Sequence, residues 1–89
     1  DSINQLIDMM KEKNFTAVRK WVADHSDIDS PILYRKLYDI APPRMSNTQS
    51  IADFIITLAE YQYREGMVAN SEINRVACLA TVMAEASWK

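Results

Sequence analysis

Glycine occurs once in these 89 residues and proline three times, so neither a flexible linker nor a turn-rich sheet protein is written here. A sandwich or barrel needs a turn signal about every ten residues, and this chain does not supply them. The single cysteine, Cys78, excludes an intramolecular disulfide and a thiolate zinc cluster, and nothing points to a secretory compartment. A single histidine, His25, leaves no His-Glu-x-x-His spacing for a metal. No apolar run nears the roughly 20 residues that span a bilayer, and no signal-peptide pattern opens the chain, so no membrane contact is expected. An excess of one charge is also missing. Ten basic residues against twelve acidic ones leave a net charge of −2, which is no basis for holding nucleic acid through bulk charge.

What is present is the balance of an ordinary globule, 48% hydrophobic and 25% charged, in a length that fits one domain over residues 1–89. At 0.05–0.15 kcal/mol per residue such a domain is stable by about 4–13 kcal/mol, adequate without being large. The first residue is Asp1, and the expectation is a domain cut from a longer protein.

Helical periodicity dominates and predicts five segments. The first runs from about Ser2 to Glu12, with Ile3, Leu6, Ile7 and Met10 on one face and Asp1 or Ser2 as cap. Asn14 caps the second, where Phe15, Val18 and Val22 form a stripe beside Trp21. Ser30 before Pro31 reads as the cap of a third helix, which carries Leu33, Leu37 and Ile40 beside Tyr34, Tyr38 and Ala41. Pro42-Pro43 stops it, and Arg44 to Asn47 is a loop. The fourth helix spans about Thr48 to Glu65, with Gly66 placed where a left-handed residue would close it. Asn70 or Ser71 caps the fifth, which continues to about Ala86.

The last two helices each carry two apolar stripes. Ile51, Phe54, Ile55, Leu58 and Gln62 line one face of the fourth; Ala52, Ile56, Ala59 and Tyr63 line the next. In the fifth, Ile73, Val76, Ala77, Ala80 and Met83 form one face, and Leu79, Val82 and Ala86 another. An arc that wide is either central in its own domain or pressed against a neighbouring molecule. Both readings stand, and the second makes Ile56, Tyr63, Leu79, Val82 and Ala86 candidates for an oligomer interface.

Catalytic and metal-binding patterns fail on inspection. A calcium loop started at Asp27 has Asp29 at its third position, but Pro31 at the fifth, Ile32 at the sixth and Tyr38 at the twelfth. Asp24 to Ser30 is better read as charge placed near the start of the third helix. His25 reads as a helix-terminal side chain that meets the last carbonyls, and Cys78 as a buried thiol without a base. No nucleophile elbow and no phosphate loop appear. Lys11, Lys13, Arg19 and Lys20, with Arg35 and Lys36, are interspersed with acids and read as a solvated face. Tyr61, Tyr63 and Trp88 read as core or interface aromatics.

One stretch carries a resemblance. Ala59-Glu60-Tyr61-Gln62-Tyr63-Arg64-Glu65-Gly66-Met67-Val68-Ala69-Asn70-Ser71-Glu72-Ile73-Asn74, followed by Ala77-Cys78-Leu79, resembles the helix–Gly–helix region near the C-terminus of clamp-loader ATPase subunits of the replication factor C type. The runs Asn14 to Asp24 and Ser30 to Asp39, with Arg19-Lys20-Trp21 and Tyr34-Arg35-Lys36-Leu37-Tyr38, look like the large ATPase subunit of T4-type phage clamp loaders. The resemblance extends from about Ile3 to Glu85. It implies an all-α, five-helix collar domain that holds five subunits in a ring. Attached AAA+ modules would bind ATP and magnesium, open the sliding clamp and place it at a primer–template junction in DNA replication. It further implies as partners copies of the same subunit and one smaller subunit, in the host cytoplasm. The ATP-binding motifs and the arginine finger belong to those modules, and no position here matches them. The fragment itself is therefore expected to be non-catalytic and to hold no cofactor. The other reading of the residues is a free-standing helical DNA-binding or adaptor module.

Overall fold

Three asparagines open three of the five helices in the computed structural model, which describes residues 2–89. The Oδ1 atoms of Asn14, Asn47 and Asn70 accept from the N–H groups of Ala17, Ser50 and Ile73 at 3.1, 2.8 and 3.1 Å. Each satisfies a first-turn donor that has no partner inside its helix. The elements are α1 (Ser2–Lys11), α2 (Phe15–Asp24), α3 (Ser30–Ile40), a 3-10 turn (Pro42–Arg44), α4 (Thr48–Glu65) and α5 (Ser71–Glu85). The all-α class read from the periodicity holds, and there is no β-strand among the described residues. The cap expected of Asp1 lies outside them.

Helix ends depart from expectation in three places. The left-handed residue is Lys13, at φ 61°, and not Gly66, which sits in the right-handed region at φ −76°, ψ −8°. Lys13 closes α1 with paired bonds, Asn14 N–H to Met9 O at 3.0 Å and Lys13 N–H to Met10 O at 3.1 Å. Ser30 is not the cap of α3. Asp29 holds that position in extended backbone without a side-chain bond, which frees the Ser30 hydroxyl for another partner. Pro42-Pro43 stop α3 at Ile40, but Arg44, expected in the loop, belongs to the tight turn Pro42–Arg44, which the prolines' fixed φ suits. Met45 then lies buried and pairs with Trp88 as an isolated antiparallel bridge.

Helix α1 contacts α2, α3 and α5, and α5 contacts α1, α2 and α4; the α4–α5 pair makes the largest helix–helix contact. Ile3, Leu6, Ile7 and Met10 are fully buried, as their spacing predicts. Val18, Trp21, Val22, Leu33, Tyr34, Leu37, Phe54 and Leu58 complete most of the core. Phe15 departs from its stripe: in the first turn of α2 it overhangs the core and stays exposed. The radius of gyration, 11.9 Å, matches the value of about 12 Å for a self-contained domain of this length. No helix among the described residues is long and apolar enough to cross a membrane.

Candidate assembly surface

Helix α4 splits its first stripe and turns out its second: Ile51 is half-buried, and Ile55 and Gln62 are exposed. Phe54, Thr57 and Leu58 face the core, whereas Ala52, Ile56, Ala59 and Tyr63 are all exposed, Ile56 at 66% and Tyr63 at 74%. Two of the candidate interface residues, Ile56 and Tyr63, therefore stand on the outer surface.

Helix α5 reverses the expected assignment. Leu79 and Val82, taken as interface candidates, are core residues with 2% and 1% of their surface exposed. The outward stripe is the other one: Ile73 is 69% exposed, and Val76, Ala77 and Ala80 are partly open. Both stripes are apolar, so hydropathy alone does not orient the helix. Packing against α4 and α2 turns in the face whose longer side chains fill the core. Met83, at the far end of the outward stripe, is buried. Ala86 is half-buried against the core just past the end of α5, where its N–H donates to Val82 O at 2.9 Å. It contributes little outer surface.

Two open grooves border this surface. Tyr38, Ile55, Ala59 and Gln62 line one between α3 and α4. Phe15, Arg19, Ile73, Val76, Ala77 and Ala80 line the other between α2 and α5. Among the described residues eight large hydrophobic side chains are exposed: Ile32, Tyr38, Ile55 and Met67 beside Phe15, Ile56, Tyr63 and Ile73.

A polar cluster anchors one end of the surface. Glu65, with 10% of its side chain exposed, accepts from Ser30 Oγ at 2.8 Å, Tyr34 Oη at 3.1 Å, Asn74 Nδ2 at 2.5 Å and Ser71 Oγ. Arg75, 7% exposed, lies with Nε 3.8 Å from Glu65 Oε1 and donates from Nη2 to Ser30 Oγ and Ile28 O, both at 2.8 Å. Burial by itself pushes the Glu65 pKa up, but the hydrogen bonds from Ser71, Asn74, Ser30 and Tyr34 outweigh it and hold the carboxyl below its ordinary value. Burial, with nearby Cys78 and Glu65 adding to it, raises the Tyr34 phenol far above its usual range. No sequence pattern announces this cluster. Its one local signal is Arg75, a cation placed within the apolar pattern of α5.

The remaining candidates take the structural roles their patterns suggest. His25 ends α2, with Nδ1–H donating to Trp21 O at 2.7 Å and its ring stacked on Trp21 at 3.9 Å. Burial pushes the Cys78 thiol up to about 12, with the Glu65 charge adding to the effect. Lys20 pairs with Asp24 at 2.6 Å, and Lys13 Nζ donates to Met83 O. No group of three or more metal-ligating side chains gathers among the described residues. A scan against protein-family models and a search of curated proteins return no match to this chain.

Proposed function

We propose that this chain is an assembly domain, the collar of a clamp-loader ATPase subunit of the phage type, which packs against copies of itself and a smaller related subunit. The observation that carries the reading is the exposed apolar stripe Ala52, Ile56, Ala59 and Tyr63 of α4, together with the separate outward stripe of α5. A helix that buries one apolar face and exposes a second has surface to spare for a neighbour. In a ring each subunit meets two neighbours through two different surfaces, and the grooves beside α3 and beside α2 offer two. The resemblance across the α4–α5 turn supplies the rest of the proposal. ATP and magnesium would be bound, and the clamp and primer–template DNA handled, by AAA+ modules outside this chain, in the host cytoplasm.

The rival DNA-binding module draws on the basic turn, where Lys13 and Lys20 already have partners within the fold. Sequencing the coding region upstream of Asp1 tests the proposal. A Gly-x-x-x-x-Gly-Lys-Ser/Thr loop followed by an acidic Walker B strand supports the collar reading. A stop codon or an unrelated domain there overturns it.

A further inference from the structure

We propose that Glu65 is the pin of a charge-dependent clasp that fastens the starts of α3 and α5 to the end of α4, and that the clasp opens as a local unit while α1 and α2 stay folded. The geometry is unusual for a last-turn residue. A carboxylate at the C-terminus of α4 opposes that helix's own dipole, yet Ser30 and Ser71, which donate to it, are the first residues of α3 and α5. Glu65 thus places its charge against two helix N-termini, where negative charge is favoured.

Between Gly66 and Ser71 little apolar burial holds the chain otherwise, while the start of α3 is also anchored by buried Leu33 and Tyr34. Gly66, Met67, Ala69, Asn70 and Ser71 are exposed, with Val68 half-buried; Pro31 and Ile32 are exposed in the first turn of α3. By contrast, α1 and α2 are fastened through fully buried Leu6, Ile7, Val18 and Val22. A region held by polar contacts around one charge belongs to the low-stability end of a fold and opens separately. The charged and titratable groups around Glu65 are Tyr34 from α3 and Arg75 and Cys78 from α5; Arg64, on its own helix, pairs with Glu60.

Loss of the charge leaves two of the five partners, Asn74 and Arg75, unable to adapt as the hydroxyls do. Serine and tyrosine hydroxyls rotate to accept a bond, whereas the Asn74 amide and the Arg75 guanidinium only donate here. Arg75 would then be a buried cation with its countercharge gone. Ile32, Tyr63, Met67 and Ile73 are exposed apolar residues on or beside the clasped segments, so the clasp also sets how part of the outer surface is presented. The inference stands apart from the assembly reading, because its test is made on the monomer.

The test is amide hydrogen exchange by NMR near neutral pH on the wild type, Glu65→Gln and the milder Ser71→Ala. In Glu65→Gln the amides of Leu33, Met67, Val68 and Asn74 exchange about ten- to a hundredfold faster, with Ser71→Ala intermediate, while Leu6, Met10, Val18 and Val22 keep their protection. On the wild type, an acid titration shifts the clasp amides together before the α1 and α2 amides respond. Unchanged exchange at the clasp overturns the proposal. So does a uniform loss of protection across all five helices, or a Glu65→Gln chain that does not fold.

Discussion

Leu79 and Ile73 lie on different faces of α5, with 2% and 69% of their surface exposed. The difference separates what the fold needs from what the surface offers. Leu79→Asp puts an unpaired charge into the core and is expected to cost more than about 4 kcal/mol, enough to unfold the domain. Ile73→Asp falls in the first turn of α5, where an acid suits the helix N-terminus, and is expected to stay within about 0.5 kcal/mol of wild type. Circular dichroism melts of the two variants check the contrast; a folded Leu79→Asp chain contradicts the assigned orientation of α5.

Gly66 gives a prediction opposite to the one its sequence context invites. Its backbone is right-handed, and a Cβ placed on it meets nothing within 4 Å. Gly66→Ala is therefore expected to stabilise by about 0.4–1 kcal/mol, because it restricts the unfolded chain without native strain. Urea midpoints read this directly, and destabilisation would mean that the turn is left-handed after all.

The depressed pKa of Glu65 makes part of the stability depend on acid. Its folded value lies below the ordinary 4.5, so its contribution is fully present above pH 4.5 and is lost as the pH falls through the folded value. The stability difference between wild type and Glu65→Gln should accordingly be largest near neutral pH and shrink below 4.5. Chemical denaturation at a series of pH values measures it. A difference that grows toward acid has the wrong sign for this account.

Cys78 is buried and its thiol is pushed up to about 12, so thiolate is scarce at neutral and mildly alkaline pH. A disulfide reagent at pH 8 is expected to label it only at the rate of unfolding and at once in denaturant. Rapid labelling of the folded chain contradicts the packing of α5.

Local chemistry made much of this fold legible. Asn14 and Asn70 announce their helices because a cap acts over three residues, and the spacing of Ile3, Leu6, Ile7 and Met10 leaves α1 one way to face. The orientation of helix α5 is not legible in its sequence for a physical reason. Both of its stripes are apolar, and which one turns inward depends on the shapes of α2 and α4. The Glu65 cluster was hidden by distance along the chain, since Ser30 and Tyr34 lie 35 and 31 residues before it. Ser30 shows the consequence: its sequence context suggests a helix cap, while its hydroxyl is spent on a carboxylate from another helix.

Self-association through the outer faces of α4 and α5 is the central claim, and an NMR concentration series tests it most directly. Association must overcome several kcal/mol of lost translational and rotational freedom, so the series should extend to about 1 mM. The account predicts that unlabelled chain added to labelled chain moves the amides of Ile56, Ala59, Tyr63, Ile73, Ala77 and Ala80, and that Ile56→Asp, still folded, weakens the shifts at least tenfold. Spectra that do not change with concentration, or shifts confined to the basic turn around Lys11 to Lys20, would contradict it.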